Sequence, residues 1–140
     1  ASLDEALTLK QEIKDIPILV LGYIPPSDAI TVVAEDIRPC IFTMESAMAM
    51  SQAAVQLKRQ AHLHIKLDTG MGRIGFLPDN NSLQLLQEIA ALPGVTIEGI
   101  FTHLAEADLE DSSFTREQIK TFTGFINKLE GRGIIIPLKH

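Results

Sequence analysis

The sequence predicts an α/β fold with a parallel sheet, on three observations. Helical and strand-like stretches alternate in the order α-β-α-β-α-β-α-β-α-β, which implies right-handed crossovers between parallel strands. The strand-like runs are short and apolar, as in strands covered on both faces. Three successive runs carry their polar residues at the same end: Lys66 and Asp68, then Thr102 and His103, then Lys139 and His140. Functional groups collect at that end both in barrels and in open sheets. Two architectures therefore stand, an open doubly wound sheet or a (β/α)8 barrel. A barrel takes about 250 residues, whereas this chain has 140 and five strand-like runs. It starts in a helix and stops at the end of a strand, and neither is expected of a natural domain boundary.

The elements follow in order. Ser2-Leu3-Asp4-Glu5 is a capping box, a serine with a glutamate three positions on, and Leu3, Ala6, Leu7 and Ile13 share a helical stripe that Pro17 ends. Ile18 to Gly22 reads as a strand buried on both faces. Pro25-Pro26-Ser27-Asp28 opens a short helix to about Asp36, and Pro39 to Phe42 reads as a second strand. Thr43 can cap a long helix to about Arg59, in which Met44, Met48 and Met50 serve packing. A strand over 62–68 leads into a glycine loop. A helix from about Ser82 to Leu92 ends at Pro93-Gly94, and Thr96 to His103 is the fourth strand. Ser112 or Ser113 caps a helix to about Glu130, ended by Gly131 and Gly133, and Ile134 to Leu138 is the fifth strand.

Composition removes several functions. The net charge is −6, with no basic cluster interleaved with aromatics, so no nucleic-acid partner is expected. Cys40 is the single cysteine, which excludes an internal disulfide and cysteine-based metal sites and fits a reducing, cytoplasmic setting. None of the four histidines falls in an H-E-x-x-H pattern. The apolar run from Ile16 to Ile24 is broken by Pro17 and Gly22 and is too short to span a bilayer, so no membrane partner is expected. The first residues lack the basic start and apolar stretch of a signal peptide.

The segment from His62 to Phe76 carries the most chemistry. In an extended strand His62, His64, Lys66 and Asp68 share one face, and Leu63, Ile65 and Leu67 share the other. A lysine and an aspartate on a sheet face either see water or line a site. Gly70, Gly72 and Gly75 fit G-x-G-x-x-G, but Pro78 prevents the immediate helix that a dinucleotide fingerprint needs. Asp68 is expected to hold the loop by accepting backbone N–H bonds.

Here the residues resemble a family. His64 to Phe76, with Asp68-Thr69-Gly70-Met71-Gly72-Arg73-Ile74-Gly75, is similar to the D-T-G-M-x-R-x-G motif of bacterial alanine racemases. Gly99-Ile100-Phe101-Thr102-His103-Leu104-Ala105-Glu106-Ala107-Asp108 resembles that family's G-[IL]-[FY]-T-H-x-A-x-A-D stretch. Gln118 and Phe122 fit its Q-x-x-x-F, Ile18 to Gly22 its I-L-V-L-G strand, and Pro137 to His140 the start of a segment continuing toward Asn-Ser. The resemblance covers the whole chain in order.

It implies a pyridoxal-phosphate (PLP) enzyme that interconverts L- and D-alanine and supplies D-alanine for peptidoglycan. The parent enzyme would be a homodimer with an N-terminal (β/α)8 barrel and a mainly β C-terminal domain. This chain then reads as an internal part of the barrel. The two bases of the family are a lysine that holds PLP as a Schiff base, in a K-A-N-A-Y-G-H-G type motif, and a tyrosine of the partner subunit. Neither is matched, since no K-A-N-A-Y occurs and the one tyrosine, Tyr23, stands in another context. The isolated chain is therefore expected to be inactive and not to bind PLP.

By the same resemblance, Arg73 reaches the substrate carboxylate, and its planar fork suits that group. Lys66 matches a lysine that many members carry N-carboxylated; as a plain ammonium it would instead pair with Asp68. Carboxylated, it would orient Arg73. His103 lies against the cofactor ring, the alternative being a core histidine, and Leu21 lines the cofactor pocket. No chemistry is assigned to His62 or His64. Other readings are a racemase of serine or lysine, a non-enzymatic PLP-binding barrel protein, and a complete open-sheet binding module.

Overall fold

The computed structural model describes residues 2–13 and 15–140. Helix α1 spans Leu3–Glu12, strand β1 Ile18–Val20, helix α2 Ala29–Ala34 and strand β2 Ile37–Ile41. Helix α3 spans Met44–Leu57, strand β3 Ala61–Lys66, helix α4 Asn80–Ala90 and strand β4 Val95–Phe101. Helix α5 spans Ser113–Glu130 and strand β5 Leu138–Lys139. All strands are parallel and lie in the order β1-β2-β3-β4-β5. That order decides between the two architectures. A doubly wound sheet reverses its strand order at a switch point, and none occurs here. Sequential right-handed crossovers put every helix on one face and curl the sheet into a half-barrel, an arc of a (β/α)8 barrel.

Local chemistry explains the helices. Ser2 and Glu5 complete the capping box, with Glu5 N–H to Ser2 Oγ at 3.3 Å and Ser2 N–H to Glu5 Oε2 at 2.7 Å. Thr43 accepts from Ser46 N–H at 3.2 Å to start α3, and Asp79 from Ser82 N–H at 2.8 Å to start α4. Leu63, Ile65 and Leu67 have no exposed surface and form, with Ile97, Ile100, Leu86, Ile89, Phe125 and Leu129, the core between sheet and helices. Fully burying one such side chain stabilises by about 1.5–3 kcal/mol.

The structure corrects several expectations. The fifth strand is Leu138–Lys139, not 134–138. Ile134 N–H bonds back to Leu129 O at the end of α5, Ile135 is exposed, and Ile136 drops into the core, so this apolar run is the return loop. β1 is a three-residue edge strand in which only Val20 is buried, not a strand covered on both faces. Helix α1 stops at Glu12, well before Pro17; Lys14 lies outside the described residues. Residues 26–28 form a 3-10 turn ahead of α2. Ser112 makes no capping bond; the Asp111 carboxylate accepts from Ser113 N–H at 2.9 Å instead. Of the three methionines in α3, Met50 is fully buried while Met48 is largely exposed.

Candidate active site

The concave face of the sheet is polar, and its groups are joined. At Leu63/His64 the register of β3 against β4 shifts, with Leu63 opposite Ile97 and His64 opposite Gly99. Glu98 is the extra residue of this bulge, so Glu98 and Gly99 both face the concave side. The Glu98 carboxylate accepts from Arg38 Nε at 3.0 Å and from His64 Nε2 at 3.1 Å. His64 Nδ1 lies 3.0 Å from His140 Nε2. A carboxylate only accepts, so His64 carries its proton on Nε2 and its Nδ1 accepts from His140 Nε2–H. The His140 ring stacks on Phe101 with centroids 5.0 Å apart.

These contacts set the charges. Hydrogen bonding to Arg38 outweighs burial and holds the Glu98 carboxyl below its ordinary range. Burial pushes His64 down despite Glu98. It does the same to His140, assisted by the neighbouring His64. Arg38 is held above its ordinary value because Glu98 and Asp36 outweigh its burial.

One layer nearer the strand ends lies Lys66, with only 3% of its surface exposed. Its ammonium donates to Leu67 O at 3.2 Å and sits 5.3 Å from the centre of the Phe101 ring. Burial lowers its pKa, and the positive charge of Arg73 adds to this against Cys40 and Asp68. Cys40 is buried beside it, its thiol pushed up to about 12 by burial. The expected ion pair of Lys66 with Asp68 is not formed, because Asp68 turns to the loop. It accepts from Gly70 N–H and Gly72 N–H at 3.0 Å each, and these bonds hold its carboxyl low against the effect of burial.

The loop is closed at its base. Phe76 N–H donates to Lys66 O and Asp68 N–H to Phe76 O, both at 2.9 Å. Gly75 sits at φ +141°, where a Cβ would stand 2.5 Å from Asp68 N, so only glycine closes the loop here. Arg73 rides outside, exposed, with no hydrogen-bond or ion-pair partner among the described residues. Its expected support by Lys66 is therefore not a contact in this structure. His103 is exposed as well, not a core histidine, and Leu21 is 50% exposed beyond the end of β1.

Behind the two loops is a buried glutamine whose role the sequence reading did not assign. Gln118 of α5 accepts from Ala105 N–H at 2.9 Å and donates to His103 O at 3.1 Å and Thr69 Oγ1 at 3.2 Å. Arg38, Glu98 and His140 were likewise given no role. The signal of Arg38 and Glu98 was present as lone polar residues in apolar strands, Ile37-Arg38-Pro39-Cys40-Ile41 and Ile97-Glu98-Gly99-Ile100, and that of His140 in its place at the polar end of the fifth run.

A parallel arc of this strand order is part of a (β/α)8 barrel, and its buried lysine, arginine loop and histidine loop stand at the C-terminal rim of the strands, where barrels of this class carry their functional groups. The chain belongs to the family whose model is described as "Alanine racemase, N-terminal domain", matched over residues 1–140. It is 44% identical over its full length to an alanine racemase of Clostridium tetani and covers 36% of that protein. Among solved structures it resembles an alanine racemase of Clostridium difficile 630 at TM-score 0.97 and 34% identity, covering all of this chain and 39% of that one. It also resembles a histidine racemase of Leuconostoc mesenteroides at TM-score 0.89 and 28% identity, covering 37% of that chain. The chain thus spans little more than a third of the relatives it matches.

Proposed function

We propose that this chain is the central part of the N-terminal barrel of a PLP-dependent alanine racemase. In the whole protein a mainly β domain follows, two subunits form a cytoplasmic homodimer, and the product D-alanine serves peptidoglycan. The observation that carries the reading is the pairing of the Arg73 loop with the His103 loop at one rim, in a chain of this family.

The rim suits a planar, anionic cofactor. Leu21 and His103 leave an apolar surface and an imidazole uncommitted to the fold, and the exposed Arg73 makes the wall positive. We assign Leu21 and His103 to the cofactor and Arg73 to the substrate. When bound, PLP supplies an electron sink for negative charge at the substrate Cα. The chain's own residues bind and orient. Arg73, with all its donors free, grips the alanine carboxylate through a two-pronged bond. Asp68 and the loop glycines fix where the guanidinium starts from. Among the described residues none is assigned to move the Cα proton; Tyr23 packs on Phe42 with ring centres 5.9 Å apart.

Lys66 is suited to N-carboxylation. Burial disfavours its charged form, and the lone pair of the neutral amine would add to the carbon of CO2, forming an N–C bond as one C=O π bond opens onto oxygen and one N–H proton is released. The resulting anion faces the positive Arg73 and supplies the support that the bare ammonium does not. Isotope-labelled CO2 given to the full-length enzyme should yield a carbamate carbon signal that Lys66→Ala abolishes; no signal in the wild type rejects the modification.

Substrate identity is tested by offering the PLP-loaded full-length protein alanine, serine, lysine and histidine. Alanine should give the highest kcat/KM. A preference for serine or lysine favours the alternative racemase reading, and PLP binding without any turnover favours a non-enzymatic barrel protein.

A further inference from the structure

Gln118 has no exposed surface, although the other buried positions of α5 are Phe125, Ile126 and Leu129. A buried amide is destabilising when left unbonded, so an apolar side chain is the simpler filler. Here every bond of the amide goes to the rim. Its oxygen takes Ala105 N–H, and its nitrogen serves His103 O and Thr69 Oγ1. The amide cannot be turned over, because that would set N–H against N–H and oxygen against carbonyl oxygen.

The bonds then run in one direction. Gln118 can only donate through Nε2, and Leu67 O can only accept. The hydroxyls between them are therefore ordered: Thr69 receives from Gln118 and donates to Thr102 at 2.8 Å, and Thr102 donates to Leu67 O at 2.9 Å. Leu67 O is the same atom that holds the Lys66 ammonium. One turn before Gln118, Phe114 stands against Gly70, where an added Cβ would meet its ring at 2.8 Å. Together with the Thr69–Thr102 hydroxyl pair and the Thr102–Leu67 bond at their base, Gln118 supplies the side-chain bonds that tie the two loops together among the described residues.

We propose that Gln118 is a positioning residue that couples the Arg73 loop to the His103 loop, so that carboxylate grip and cofactor contact are presented in one register. The proposal rests on the reading of Arg73 and His103 as site residues. A helix filler needs only volume and apolarity; a coupler needs donor and acceptor on the correct sides.

The test uses the full-length PLP-loaded enzyme. Gln118→Glu keeps shape and the acceptor for Ala105. As a carboxylate it sets an oxygen against His103 O and draws the Thr69 proton away from Thr102; once protonated, that oxygen donates again. Its kcat/KM for alanine, taken relative to wild type at each pH, should be down about tenfold at mildly alkaline pH and recover as pH falls. Gln118→Met, which fills the volume without the bonds, should raise KM for alanine at every pH. Thr69→Val should reproduce part of that rise and Thr69→Ser should restore wild-type values, a pair that needs no change in the buried amide. Wild-type kinetics in Gln118→Met and Thr69→Val, or a pH-independent ratio for Gln118→Glu, would overturn the coupling. A wild-type enzyme that does not racemise alanine would instead reject the functional reading beneath it.

Discussion

Gly99 lacks a side chain because the imidazole of His64 stands where its Cβ would go. The histidine in turn is held from both sides, by Glu98 and by His140, and cannot move aside without breaking one of those bonds. Gly99→Ala should therefore lower stability by about 1–3 kcal/mol, the usual cost of overpacking. A chemical-denaturation midpoint equal to wild type contradicts that packing argument. Asp68 shows how much a single residue discloses to a sequence reader. A carboxylate two and four residues before glycines predicts the backbone bonds observed at Gly70 and Gly72, because the interaction is local. The partners of Lys66 were not legible in the same way. Asp68 is spent on its own loop, and the ring beneath the ammonium comes from β4, which no local pattern reveals.

Among elements, three strands and the residue after β5 contribute to one charge cluster: Arg38 from β2, His62 and His64 from β3, Glu98 from β4 and His140 beyond β5, with Asp36 at the entrance to β2. The signs of its titration agree. Glu98 is held low by Arg38, so its contribution is present above the ordinary carboxylate range and is lost as pH falls through its folded value. Burial keeps His64 and His140 neutral, so the unfolded chain takes up protons first as pH drops below about 6.5. Stability should fall steadily from neutral pH toward pH 5 and below, and Glu98→Gln should flatten the carboxylate part of that fall. Thermal midpoints that do not change with pH would contradict the assignment. The elements themselves were largely legible, since strand alternation and helix caps depend on neighbours in sequence. The exceptions have tertiary causes. Ile134 to Ile136 has strand composition but is drawn off by the end of α5, and the bulge at Glu98 exists only because two strands meet out of register. Gln118 is legible as the glutamine of a Q-x-x-x-F pattern, but what it binds is not, because its partners lie in two loops that only the fold brings beside it.

The whole molecule presents a curled sheet with β1 and β5 at its margins, each paired on one side. Exposed apolar residues cluster there, Leu21 and Tyr23 beyond β1, and Ile135 and Leu138 around β5. Unpaired strand edges beside apolar surface favour association, so the 140-residue chain by itself should sediment as oligomers or aggregate. A monodisperse monomer with one cooperative transition would contradict this. The same isolated chain should not racemise alanine with PLP added, because the roles proposed for Arg73, Lys66, His103 and Leu21 are to bind and orient, not to exchange the Cα proton; measurable turnover would mean that a base has gone unrecognised. The central claim is that this arc is the supporting wall of an alanine racemase site, with Arg73 as its hand on the substrate. The most direct measurement is kcat/KM for alanine racemisation by the full-length enzyme and its Arg73→Ala variant, with the PLP absorbance recorded alongside. A loss of about 100-fold or more with the cofactor spectrum retained is the predicted result. An Arg73→Ala enzyme as active as wild type, or a wild type that binds PLP and leaves alanine unchanged, would contradict it.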